Sequence, residues 1–330
     1  MCKIWEAIRR GLDKQAYLFY ICSMSGLHLI WFRNDLRVHD HAALRAACHC
    51  AERDGGAVLA LYTLTSDMVD QSGQVSPGLI EALRELQVAL DRRGAQLHLR
   101  YGAPLEILSE LHRQHRILSL HCHETPETTH LDRQLEAWAM RAGIALRVYQ
   151  QYGPLPVVNG FFEADSDWEH FMSEPRREAS DIAHAADVGV GRWPDPRHAS
   201  QDTMAPTGGR KRAIQLLRDF LGSPSTPETK PDSRFASGHD AYQALRPYLL
   251  LGVLSVRETW QAAISTRQRY LAAGYDLRAA RVGSFVECLP ALHLEKHRVN
   301  RNERRQTDAP SASRSADDQM SFEFLESRRG

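Results

Sequence analysis

The stretch at residues 27–44, LHLIWFRNDLRVHDHAAL, constrains the fold more than any other part of the chain. Its first six residues are almost wholly apolar, as expected of a parallel strand buried on both faces. A polar connection follows at 33–40, and His41-Ala-Ala-Leu-Arg-Ala-Ala opens a helix. Asp40 suits the N-cap, where a carboxylate can accept the free N–H groups of the first turn. This order puts Arg33, Asp35 and Arg37 at the carboxyl end of a sheet, where open α/β folds bind ligands. The same charges also suit plain capping and cross-linking of the first βα unit, with Arg33 or Arg37 paired to Asp35 or Asp40.

Strand and helix periods then alternate. Strands are expected at 57–63, 96–100, 117–121 and 144–149. Helices are expected at 77–93, around Leu105 to Leu111, and at 127–141. Alternation of this kind specifies an α/β class, a doubly wound five-stranded parallel sheet spanning 24–150. Residues 151–207 are poor in apolar side chains and rich in Gly and Pro, and read as an interdomain linker. Within it Trp168, Phe171 and Met172 form an apolar anchor. From 208 to 300 the pattern is helical, and 301–330 is a polar tail expected to be disordered. Residues 1–23 read as an upstream extension outside the fold, with Met24 a natural start.

Lys plus Arg equals Asp plus Glu at 41 each, so no overall basic charge points to nucleic acid. A local basic groove remains compatible with that sum. The six cysteines form no CxxC pair. Free thiols in a reducing cytoplasm follow. Cys48-His49-Cys50 and His121-Cys122-His123 bring metal-ligating residue types together, but the usual zinc spacings are absent and no metal set is assigned. The apolar run at 16–22 is too short to cross a bilayer.

WFRNDLRVHDHAAL resembles the opening signature of the DNA photolyase/cryptochrome family, W-F-R-x-D-L-R-x-x-D-x-x-A-L. Every fixed position is filled, by Trp31, Phe32, Arg33, Asp35, Leu36, Arg37, Asp40, Ala43 and Leu44. The Asp-Trp-x-x-Phe-Met turn ending at Met172 is similar to one proteobacterial branch. Leu245, Pro247, Tyr248, Leu249, Gly252, Leu254, Ser255 and Arg257 resemble the family's flavin segment, T-S-x-L-S-P-H/Y-L-x-x-G-x-L-S-x-R. The resemblance implies a photolyase-like antenna domain followed by a partial all-α FAD-binding domain. It implies an antenna chromophore, such as a folate or deazaflavin, near the loop of Arg33, Asp35 and Arg37. It also implies FAD-linked, light-dependent repair of DNA containing pyrimidine dimers by a carbon–carbon lyase, or blue-light reception. The cofactor would carry the chemistry, and a dimer would have to leave the base stack to meet it.

The flavin segment departs from the pattern where the family's hydroxyls hold the FAD phosphates. Those positions read Tyr242, Gln243 and Arg246. Gln243 and Arg246 are the candidate phosphate ligands here, Arg246 through its charged fork. The family's pocket helix, F-x-x-x-L-x-W, begins at Phe285 but meets Pro290, which ends a helix. Weak FAD binding and no dimer repair are therefore expected. Leu249, Leu250, Leu251, Val253 and Leu254 are expected to form an uncovered helical patch that promotes self-association. The alternative is a non-catalytic remnant whose α/β domain acts as a binding module. A nucleotide-binding protein of similar topology fits less well, because no glycine-rich loop follows the first strand.

Overall fold

The computed structural model describes residues 26–292 except 70–74, 126–128, 155–156, 159–160, 163–165, 192, 195–207 and 223–234. The extension at 1–23 and the tail at 301–330 lie outside the described residues. Strands β1 (Leu27–Phe32), β2 (Ala57–Leu64), β3 (Leu97–Tyr101), β4 (Ile117–His123) and β5 (Ala145–Tyr149) form one sheet in the order β3-β2-β1-β4-β5. All four neighbouring pairs are parallel. The expected five-stranded parallel sheet is therefore present.

Helices α1 (Ala42–Asp54), α2 (Pro77–Asp91), α3 (Pro104–Gln114) and α4 (Thr129–Ala142) connect the strands. Leu29, Trp31, Leu59, Leu61 and Leu120 pack with Leu108, Leu111 and Leu135 on one face. Ile30, Phe32, Ala60 and Tyr62 pack with Leu44, Ala47, Leu83 and Leu90 on the other. Because successive strand residues face opposite sides, continuous apolar runs such as LHLIWF supply both cores at once.

Helix α1 corrects the sequence reading of its start. His41 is the N-cap, its Nδ1 accepting from the Leu44 N–H at 3.0 Å. Asp40 instead takes a left-handed backbone (φ 45°), a conformation that Asp is among the few residues other than Gly to adopt. Its carboxylate is thereby turned away from the helix and toward the second half of the chain.

Downstream, a two-strand ribbon of β6 (Val157–Val158) and β7 (Phe161–Phe162) precedes α5 (Ser166–Ser173). The anchor on α5 docks on the helical half. Trp168 is buried, donates from Nε1 to the Tyr152 carbonyl at 2.9 Å, and meets Trp260 edge-on. Residues 177–191 run along the sheet, with the Ala186 N–H on the Val58 carbonyl and the Leu99 N–H on the Val190 carbonyl. Residues 177–191 of the linker are thus bound to the α/β half, while α5 is bound to the helical half.

The helical half contains α6 (Arg210–Leu221), α7 (Gly238–Leu250), α8 (Val256–Ala272) and α9 (Asp276–Cys288). Capping boxes start α7 at Ser237–Asp240 and α8 at Ser255–Glu258, each satisfying two orphan N–H groups. Helix α9 stops at Cys288, two residues before Pro290, as the proline requires. Phe220, Leu245, Trp260 and Phe285 join the same core as Ile30 and Phe32. The leucine patch is covered, contrary to expectation. Leu249, Val253 and Leu254 are buried, and Leu250 and Leu251 pack against the core. The 33–40 loop does part of the covering, with the Leu36 N–H donating to the Leu251 carbonyl at 3.2 Å.

Candidate functional site

Strand β1 lies between β2 and β4, and the chain runs outward from it in both directions. The 33–40 loop therefore leaves the carboxyl edge at the topological switch point, the crevice where open sheets receive ligands. In this chain that crevice is filled by the loop's own side chains and by His123 from the end of β4.

Asp35 is fully buried at its centre. Its Oδ1 accepts from the Arg33 backbone N–H at 2.6 Å, and its Oδ2 lies 2.7 Å from His123 Nδ1 and 3.0 Å from His41 Nε2. Since His41 Nδ1 accepts from Leu44, its ring proton belongs on Nε2, facing the carboxylate. Burial alone would raise the Asp35 carboxyl. The two imidazoles outweigh it and hold the group well below the usual range. Burial pushes His123 down to about 3 and lowers His41 as well. The centre is thus a carboxylate held by neutral imidazoles. Arg33 beside it supplies balancing charge.

The arginines reach far beyond the loop. The Arg33 guanidinium donates to Asp132 Oδ1 at 2.6 Å and to the His123 carbonyl, joining β1, β4 and α4. It also lies 4.9 Å from the centroid of the Trp31 ring. Arg37 donates to the Gly252 carbonyl at 2.9 Å and to the Asp40 carbonyl at 3.3 Å. Gly252 has φ 68°, and a Cβ there would overlap Asn34 O, so a glycine is needed where the two halves meet. Asp40 Oδ1 accepts from Arg257 Nη1 at 2.9 Å and the Arg177 N–H at 3.0 Å, and Oδ2 from Ser255 Oγ at 2.7 Å. Burial opposes ionisation of Asp40, and Ser255, Arg177 and Arg257 more than offset it, so its carboxyl is lowered.

The expected pairing inside the loop is therefore corrected. Asp35 takes the Arg33 backbone and two histidines, and Asp40 ion-pairs with Arg257, 217 positions away. Arg33, Asp35 and Arg37 are all buried against protein.

The candidate phosphate ligands lie elsewhere. His239, Gln243 and Arg246 fall at i, i+4 and i+7 on α7, one stripe of the helix. Gln243 is exposed, with Nε2 3.1 Å from His239 Nε2, and Arg246 is half-buried. Tyr242 points the other way and is buried. Separately, a cavity of about 560 Å³ lies along α1, lined by Arg45, His49, Tyr149 and Arg177 among others.

The family model for DNA photolyase matches residues 28–153, the whole of the sheet and the loop at its switch point. Residues 28–153 carry the DNA photolyase domain of the photolyase and cryptochrome family. A cryptochrome DASH of Xenopus laevis is 24% identical over 277 residues, 73% of this chain and 52% of that protein. The deoxyribodipyrimidine photo-lyase of Escherichia coli K12 is 40% identical over 92 residues, 26% of this chain and 19% of that protein. The relatives come from an animal, a plant and enterobacteria and single out no branch of the family. The chain spans about half the length of the curated relatives it matches over most of its extent. Among solved structures, a class III photolyase from Agrobacterium tumefaciens superposes with a TM-score of 0.59 at 19% identity. It covers 91% of this chain and 64% of its own. That match extends the family fold through the helical half.

Two residues of the photolyase-like switch point escaped the sequence reading. His123 stood in a cluster weighed only for zinc, and its place at the carboxyl end of β4 was the available signal. His41 gave none, because a helix opening on histidine looks the same whether its ring caps the helix, faces an acid or does both.

Proposed function

We propose, against the expectation of absent repair read from the flavin segment, that the chain acts as a flavin-linked blue-light protein, with FAD seated on α7 to α9 and DNA containing pyrimidine dimers as its substrate. The observation that carries this reading is the Asp40–Ser255–Arg257 clasp, which fixes the start of α8 against the switch-point loop. A flavin platform needs that fixed relation between the halves. Bound FAD would supply the light-driven electron transfer, and the chain would supply position and charge.

Gln243 and Arg246 are assigned to the FAD phosphates. An amide and a guanidinium on one stripe of the helix fit a diphosphate chemically, and Arg can hold it bidentately. Because charge replaces the family's hydroxyls, the hold is screened by salt. Arg33, Asp35 and Arg37 act as positioning residues for the loop. An antenna chromophore, a folate or deazaflavin, would rest in the α1 cavity, whose volume falls in the usual range for small-molecule sites. Free thiols at Cys48, Cys50, Cys122 and Cys288 fit a reducing cytoplasm. Among the described residues no helix is long and apolar enough to cross a membrane.

The test is a dimer-repair assay on ultraviolet-irradiated oligothymidylate with the full chain and added FAD. Loss of dimers under blue light but not in darkness supports a photolyase. Intact dimers with a light-induced flavin spectrum assign photoreception. Intact dimers with no light-induced spectrum overturn the proposal.

A further inference from the structure

Two sequence clusters that carried no metal assignment separately are brought together by the fold, each contributing one residue beside β1. His28 Nδ1 lies 2.6 Å from Ser119 Oγ, and His121 Nε2 lies 2.7 Å from the same oxygen. Cys50 reaches this point from α1, and one ligand atom each of His28, Cys50 and His121 lies within 4.8 Å of the others. We propose that His28, Cys50 and His121 form a zinc-class metal site, with Asp54 and Tyr149 orienting its two imidazoles.

Three observations carry it. The first is convergence, since ring nitrogens from the neighbouring strands β1 and β4 aim at one small hydroxyl. Zinc bound at about 2.0–2.3 Å from N and S ligands needs them a little over 3 Å apart, so the present spread closes by side-chain rotation of about 1 Å. The second is the outer support. His28 Nε2 meets Asp54 Oδ1 at 2.9 Å and His121 Nδ1 meets the Tyr149 hydroxyl at 3.1 Å. A ligating histidine almost always gives its outer N–H to such a partner, and here both rings have one. The third is access, because His28 and His121 are buried whereas Cys50 is half-exposed, so an ion can enter past the thiol.

Without metal the chain of hydrogen bonds runs from the Tyr149 hydroxyl to His121, to Ser119, to His28 and to the Asp54 carboxylate. Metal entry releases the Cys50 thiol proton to solvent and forms a metal–thiolate bond. It moves the His121 ring proton from Nε2 to Nδ1, where that nitrogen becomes the donor to Tyr149 oxygen. The Ser119 hydroxyl turns away from His28, and its oxygen or a water takes the fourth position. No oxidation state changes. The site does not depend on flavin binding.

Cobalt(II) titration of the full chain, stripped of metal with a chelator, is the test. A thiolate-to-cobalt charge-transfer band that zinc(II) abolishes is expected. Cys50→Ser should remove that band, and Cys288→Ser, on α9, should retain it. Asp54→Asn, which leaves all three ligands in place, should weaken cobalt binding about tenfold to a hundredfold. Should Cys50→Ser not fold, alkylation of Cys50 in the unaltered chain, mapped by mass spectrometry, should slow when zinc is added. No charge-transfer band, a band that survives Cys50→Ser, or alkylation indifferent to zinc would overturn the site.

Discussion

Asp40→Ala is the most revealing substitution in the junction, because one buried carboxylate holds three partners from two distant parts of the chain. Arg257 at 2.9 Å, Ser255 at 2.7 Å and the Arg177 N–H at 3.0 Å would each lose their acceptor. Bonds to a charged group contribute about 1.5–3 kcal/mol each, and breaking a buried pair costs about 3–5 kcal/mol. Part of this is offset. Arg257 Nη2 lies 3.7 Å from Glu174 Oε2, which would remain as a partner for its charge. A net loss of about 3–4 kcal/mol is therefore expected. Urea unfolding followed by both tryptophan fluorescence and far-ultraviolet circular dichroism is the assay. The midpoint should fall, and the two probes should separate as the helical half loosens before the sheet. Asp40→Gly should be milder than Asp40→Ala, because glycine takes φ 45° without strain. A midpoint that moves by less than about 0.5 kcal/mol, the range of ordinary surface changes, would refute the clasp.

Gly252→Ala should destabilise by about 3 kcal/mol, since it adds a positive-φ penalty to an overlap with Asn34 O; differential scanning calorimetry would measure the drop in Tm. Stability should fall as pH is lowered from about 6.5 toward 4. Burial holds folded His121 at about 4 and His123 at about 3, so the unfolded chain binds more protons across that window. Asp40 adds a further loss below the ordinary carboxylate range, because its folded pKa is depressed. Urea midpoints measured across this range would check both signs, and a flat profile would contradict them. Arg246→Ala should weaken FAD binding about tenfold or more and flatten its dependence on salt, as read by quenching of flavin fluorescence.

The sheet was legible because each strand is a short apolar run bounded by turn formers, and burial on both faces leaves little freedom for register. Even there, strand ends moved by one or two residues, as with β4, which runs on to His123. The junction was not legible. Asp40 followed by an Ala-rich stretch looks like an N-cap, and only the distant Arg257 shows why the backbone turns left-handed instead. The leucines at 249–254 looked exposed because part of their cover comes from residues 33–36, more than two hundred positions earlier. Likewise, nothing in the spacing of His28, Cys50 and His121 marks them as neighbours, since β1, α1 and β4 meet only once the sheet has formed. Gln243 and Arg246 were named as candidates through a resemblance of motif, and the helix places them on one stripe as their spacing requires.

The absorption spectrum of the purified full chain, before and after mixing with FAD and removal of unbound cofactor, bears most directly on the proposed function. Oxidised-flavin bands that stay with the protein at low salt, diminish at high salt and are lost in Arg246→Ala are the expected result. A colourless protein at every salt concentration would contradict a flavin platform on α7 to α9.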